Sequence, residues 1–138
     1  MIVLDASMTL SWHFADEVTP QTDAVHGDVI ADGAVVPVHW RLEIANAFAT
    51  AVRHGRMTAE FRSEALARLE YLPVEIDDES ARAAWGAVQE LCDRHRLTAY
   101  DASYLELALR RNLKLATLDR RLSEAAQAAG VPLYLKDH

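Results

Sequence analysis

Short apolar runs and longer stretches of helical periodicity alternate along the chain. The apolar runs occupy 1–4, 34–38, 72–76, 113–118 and 131–135, each of a length suited to one strand. Helical patterns lie between them. Thr19 followed by Pro20 supplies an N-cap and a first helical position, and Gly55 stands where a helix running from about 42 through 54 should end. Thr58 can cap the next helix, which carries Phe61, Ala65, Leu66 and Leu69 on one side. The stretch 78–94 sets Ala81, Ala84, Trp85, Val88, Leu91 and Cys92 at helical spacing with charges between them, which predicts a helix with Trp85 in the core. Residues 98–112 predict a helix with Ala102, Leu105, Ala108 and Leu109 facing inward, followed by a strand over 113–118 that ends at Asp119. An alanine-rich helix over 123–129 then stops at Gly130, before Pro132. This alternation predicts an α/β domain whose mainly parallel central sheet is covered on both faces.

Composition narrows the class. With 138 residues and 51% hydrophobic content, one domain spanning 1–138 can bury a proper core, and two ordinary domains would not fit. No run approaches the ~20 apolar residues needed to cross a bilayer, and Asp5 interrupts the first apolar stretch where a signal peptide would not tolerate it. A cytoplasmic protein with no membrane partner is expected. A single cysteine, Cys92, excludes an internal disulfide framework and a multi-cysteine zinc site, and is read as a small core residue. The 21 acidic residues against 14 basic ones give a net charge of -7, so any nucleic acid must be met by a local basic patch. Carboxylates gathered in one place repel one another unless a cation sits among them.

Four carboxylates stand out by position. Asp5 closes the first apolar run and Asp119 a later one, and ligands of open α/β sheets bind beyond the carboxyl ends of the strands. An Asp just after a strand also serves as the N-cap of the next helix, so either residue alone has two readings. Glu43 lies in Leu42-Glu43-Ile44-Ala45-Asn46-Ala47-Phe48-Ala49, a helix apolar nearly all round and therefore expected to be buried, where a carboxylate needs a partner. Asn46 lies one turn on and could share or orient it. Asp101 falls third after the cap Thr98, a place that capping and the helix dipole also favour for an acid. No Gly-x-Ser-x-Gly elbow, phosphate-cradling glycine loop or His-Glu-x-x-His pair competes, and the six histidines are scattered. His39, four residues before Glu43, is read as a surface or capping residue. An oxygen-only set selects hard cations, Mg²⁺ or Mn²⁺, over zinc. Such ions suit phosphodiester hydrolysis.

These residues resemble a known family, the PIN-domain ribonucleases, and within it the VapC toxins of toxin-antitoxin pairs. The resemblance runs over essentially the whole chain. It is carried by Ile2-Val3-Leu4-Asp5-Ala6-Ser7, by Pro37 and Trp40 through Glu43 to Asn46, by Leu97-Thr98-Ala99-Tyr100-Asp101-Ala102 with Leu105, Leu107 and Ala108, and by Leu115-Ala116-Thr117-Leu118-Asp119. It implies a three-layer α/β/α fold and an acidic site of Asp5, Glu43, Asp101 and Asp119 that binds Mg²⁺ or Mn²⁺ and cleaves RNA. It also implies a homodimer and inhibition by a cognate antitoxin. Ser7 and Thr117 resemble hydroxyl residues that orient the acids, and Asn46 a partner of Glu43. Some relatives carry a further acidic or amide residue after the last Asp; here Arg120 and Arg121 follow.

Arginine outnumbers lysine, and its planar fork suits phosphate. Arg110, Arg111, Arg120 and Arg121 flank the segments with Asp101 and Asp119, and Arg53 and Arg56 end the helix with Glu43, so together they are candidate RNA contacts. Two other functions fit the sequence: a PIN-fold nuclease of ordinary RNA processing, and a non-enzymatic binding module whose acids hold a structural ion or cap helices.

Overall fold

A computed structural model describes residues 1–134. The chain runs β1 (Ile2–Leu4), α1 (Ala6–Ser11), α2 (Pro20–Asp32), β2 (Ala34–Val36), α3 (Trp40–Arg53), α4 (Ala59–Glu70), β3 (Val74–Ile76), α5 (Ser80–Ala83), α6 (Ala87–His95), α7 (Ala99–Arg111), β4 (Leu115–Ala116) and α8 (Arg120–Ala128). The four strands form one sheet in the order β3-β2-β1-β4, every pair parallel. β1, β2 and β4 are buried throughout, as a sheet covered on both faces requires. The helices fall into two packed groups: α1 meets α2 and α3, and α3 meets α4, whereas α7 meets α5, α6 and α8. Right-handed crossovers put the groups on opposite faces, because strand order advances from β1 to β3 and then reverses to β4. The result is a three-layer α/β/α fold.

That reversal matters for function. The chain leaves β1 toward β2 on one side and returns beside β1 as β4 on the other, so a topological switch point lies at the carboxyl ends of β1 and β4. Asp5 follows β1 directly, and Thr117 to Asp119 follow β4.

Local signals set several element boundaries. Thr19 forms a reciprocal capping box with Thr22, and the Thr58 hydroxyl accepts from the Phe61 N–H at 3.0 Å. Gly55 takes φ of +76°, a left-handed turn that ends the α3 segment. Helix α7 differs from the others: Ala102 through Ala108 are all buried, because it packs on β1, β4 and three helices at once.

The structure corrects other expectations. The region 78–94 is two helices, broken around Gly86 at φ −121° and ψ −102°, and Trp85 at this break is 94% exposed. Periodicity cannot register such a break, since the alanines around it fit helix and turn alike. Helix α3 buries one stripe, Trp40, Ile44, Phe48 and Ala51, and leaves Leu42 72% exposed. Leu109, Phe61 and Leu66 also reach solvent. The strand expected over 113–118 shortens to two residues, because Thr117 and Leu118 turn to bond Ser7 and Asp5. In the run 131–135, Leu133 makes a single parallel bridge to Leu115, and residue 135 lies outside the described residues. Cys92 is partly buried against the core.

Arg110, at the end of α7, is the cation of a buried ionic cluster. Its guanidinium donates to Asp77 at 2.7 and 3.1 Å, to Glu106 at 2.8 and 3.1 Å and to Glu79 at 3.2 Å. Asp77 and Glu106 are 3% and 6% exposed, so removing the guanidinium strands two buried charges. Arg110→Ala is expected to lower unfolding stability by about 3 kcal/mol in urea denaturation at pH 7; a loss under about 1 kcal/mol would show the cluster to be effectively solvated.

Candidate metal centre

Asp5 is 3% exposed and occupies the N-cap position of α1, but its carboxylate makes no capping bond. Its Oδ2 instead accepts from the Ser7 and Thr117 hydroxyls, both at 2.6 Å. The same hydroxyl oxygens accept backbone N–H groups, Ser7 from Leu118 and Thr117 from Asp119, each at 3.0 Å. The ends of β1 and β4 are thereby stitched together around one carboxylate oxygen. Burial, with Glu43 and Asp119 nearby, pushes the Asp5 carboxyl up to about 6 against the pull of the two hydroxyls.

Glu43 lies in the first turn of α3 and is partly buried. Its Oε1 accepts from the Tyr104 hydroxyl at 2.5 Å and lies 3.3 Å from His39 Nε2. Burial raises its pKa, Tyr104 lowers it, and Asp101 adds repulsion. Asp119 caps α8 through Oδ1, which accepts from the Leu122 N–H at 2.8 Å. Asp101 sits in the first turn of α7, where its N–H donates to the Thr98 hydroxyl at 3.2 Å. Its carboxyl is pushed up to about 6, by burial first and then by Asp119 and Asp5.

Asp5, Glu43 and Asp101 each therefore feel at least one other acid of the set. Three of the four acids share a pattern: the protein's own donors hold one oxygen, Asp5 Oδ2, Glu43 Oε1 or Asp119 Oδ1, and give the second oxygen no hydrogen bond among the described residues. Oriented carboxylates with a free oxygen apiece are what a hard divalent cation requires, and their mutual repulsion favours one. The residues present fit such an ion.

Among the described residues, the only acids whose ligand oxygens crowd within 4.8 Å as a group of three are Asp77, Asp78 and Glu79. Arg110 already supplies the charge there. No three of Asp5, Glu43, Asp101 and Asp119 come as close as that.

The remaining sequence candidates are scattered. Asn46 is exposed and makes no hydrogen bond to Glu43; it lines a cleft of about 540 Å³ with Ser7, Thr50 and Leu118. Arg110 is committed to its three carboxylates, which draws it out of the RNA-contact set. Arg111 pairs with Glu75 at 2.7 Å. Arg56 pairs with Asp16 and Glu17 and lies over the Phe14 ring. Arg120 pairs with Glu124 at 3.1 Å while 91% exposed, and Arg53 and Arg121 are exposed with no ion pair among the described residues. Tyr104 was not singled out by the sequence. The available signal was a tyrosine beside the inward positions Ala102, Leu105 and Ala108, whose hydroxyl must find a partner when buried.

A family model described as the PIN domain matches residues 2–128. The chain belongs to the PIN domain family. PIN domains are generally nucleases, so this is a nuclease fold. The fold is similar to that in "Crystal structure of PAE2754 from Pyrobaculum aerophilum", with a TM-score of 0.66 and 25% sequence identity over 91% of this chain and 87% of that one. No curated protein matches the chain in sequence. Among the described residues no helix is long and apolar enough to cross a membrane.

The raised carboxyls of this PIN domain make a pH prediction. Folded Asp101 keeps its proton to about 6, whereas the unfolded chain releases it near 3.8. The folded state thus binds more protons between those values, and metal-free stability falls as pH rises through that window. Above about pH 6 the penalty is fully present. In thermal melts with chelator, Asp101→Asn is expected to flatten this fall and to melt above the parent at pH 7. Parallel pH profiles for the two proteins would contradict the repulsion.

Proposed function

We propose that this PIN domain is a metal-dependent ribonuclease using Asp5, Glu43, Asp101 and Asp119, and that it is the toxin of a toxin-antitoxin pair. The observation that carries the proposal is the set of acids at the switch point, three of which the protein anchors by one oxygen each. Mg²⁺ or Mn²⁺ held there would supply the positive charge that activates water and stabilises the leaving oxygen. The chain's residues do the rest: Ser7 and Thr117 fix Asp5, the α8 N-terminus fixes Asp119, and α7 delivers Asp101. The toxin role, an inhibitory antitoxin partner and a homodimer rest on the resemblance of the sequence blocks around Asp5, Glu43, Asp101 and Asp119 to VapC toxins.

Asp101→Asn tests the chemistry. The parent is expected to degrade total RNA with Mg²⁺ or Mn²⁺ and not with EDTA, and to arrest growth when expressed. The variant should be folded and lose cleavage by at least about a hundredfold. A variant that cuts RNA with unchanged metal dependence would sink the proposed site.

RNA must be held by an acidic protein, which leaves the task to local arginines. Arg120 and Arg121 open α8 directly after Asp119 and are exposed, so both can meet phosphate. Replacing both with Ala is expected to weaken RNA binding and to reduce the slope of log affinity against log salt by about 1.4, with Mn²⁺ binding retained. Parent-like binding across a salt series would move the RNA track toward Arg53.

A further inference from the structure

Glu43 is held from two sides by residues far apart in sequence. The Tyr104 side chain is fully buried, and the hydrogen bond of its hydroxyl to Glu43 Oε1, 2.5 Å long, spans 61 positions of sequence and joins α3 to α7. His39 Nε2 lies 3.3 Å from the same Oε1 and 3.2 Å from the backbone oxygen of Tyr100. The Tyr100 oxygen can only accept, so Nε2 carries the hydrogen and donates it there, while Glu43 Oε1 stands beside it in ion-pair range. The His39 ring is kept in place by edge-on packing against Tyr100 and Tyr104, with centroids 5.5 and 5.4 Å away. One imidazole thus links the acid of α3 to the turn of α7 that carries Asp101.

The Tyr104 donor and the His39 ring both meet the same oxygen. Oε1 is occupied, and Oε2 receives no hydrogen bond among the described residues. We infer that Tyr104 and His39 are positioning residues that fix the Glu43 carboxylate so that its second oxygen serves as a metal ligand. The inference rests on the metal-nuclease reading of the site. Removing either neighbour frees the carboxylate to rotate, and the ordering of that oxygen must then be supplied when the cation binds. Simple glue between α3 and α7 would behave differently: it would change the melting temperature and leave metal affinity alone.

The test uses the full chain with Mn²⁺ alone as the probe, by titration calorimetry, and then steady-state cleavage of an RNA oligomer. The proteins are the parent, Asp5→Asn, Tyr104→Phe, His39→Ala and His39→Gln. Tyr104→Phe removes one oxygen and keeps the ring; it is expected to weaken Mn²⁺ binding about tenfold and to lower kcat similarly, with KM for RNA within about twofold. His39→Ala should weaken Mn²⁺ binding several-fold, and His39→Gln, whose amide N–H can reach the Nε2 position, should recover most of it. His39 sits at the helix start with its side chain partly exposed, so its variants keep the test open should Tyr104→Phe not fold. If Tyr104→Phe and His39→Ala bind Mn²⁺ like the parent while Asp5→Asn does not, the positioning role is overturned and the metal site stands. A parent that binds no Mn²⁺ overturns both. Equal losses in His39→Ala and His39→Gln would assign the effect to ring packing and remove His39 from the clamp.

Discussion

Repulsion among carboxylates at one end of a parallel sheet is the constraint around which this structure is organised. Asp5 is nearly inaccessible to water and faces other acids, a placement that disfavours its charged form. Two hydroxyls on one oxygen offset part of that cost and at the same time bind the ends of β1 and β4 to each other. The same molecule shows how such strain is relieved where no chemistry is intended. At Asp77, Glu79 and Glu106 a guanidinium is built in, and it locks α7 to the loop after β3. Around Asp5 no ion pair of the described residues plays that part; under the proposed function a divalent cation would.

Helix α7 connects the two clusters. Its first turn presents Asp101, Tyr104 one turn further reaches Glu43, and Arg110 anchors the far end. Burial of every residue from 102 to 108 makes this helix a rigid strut, since any tilt would disturb packing on two strands and three helices. The acids of three different segments are therefore held in register by one central element, and Glu43 is referred to it through Tyr104 and His39.

Much of this was legible in the sequence, wherever the deciding interaction is local. Thr19, Thr58 and Gly55 act within a few residues, so the boundaries they set could be read directly, as could the alternation that gives a parallel sheet. Trp85 shows the opposite case. Its apolar spacing fits a buried helix stripe, but the chain breaks at Gly86 and exposes the ring, a choice made by tertiary packing. The positions of Asp5 and Asp119 at strand ends were visible, and so was the choice between capping and chemistry; which each takes was not, because Thr117 reaches Asp5 only once β1 and β4 are paired. Asn46, one helical turn away, makes no hydrogen bond to Glu43; the hydroxyl that holds it belongs to Tyr104, 61 positions on, a distance no periodicity spans.

The arginines follow the same logic and bear on how an acidic protein would hold a polyanion. Read along the chain, six of them flank the acids and look equivalent. In the fold they divide: Arg110 is tied to buried carboxylates and stabilises the scaffold, Arg111 and Arg56 pair with more exposed acids, and among the described residues Arg53 and Arg121 are exposed without an ion pair while Arg120 pairs at the surface. An exposed pair such as Arg120 with Glu124 is worth little and exchanges readily for a phosphate. The two arginines that follow Asp119 also lie on the first turn of α8, where the helix dipole adds positive potential. Carboxylates and arginines thus meet at the end of β4. Under the proposed function, that juxtaposition would let a site with net negative charge draw an RNA backbone in along one side while its acids hold the metal.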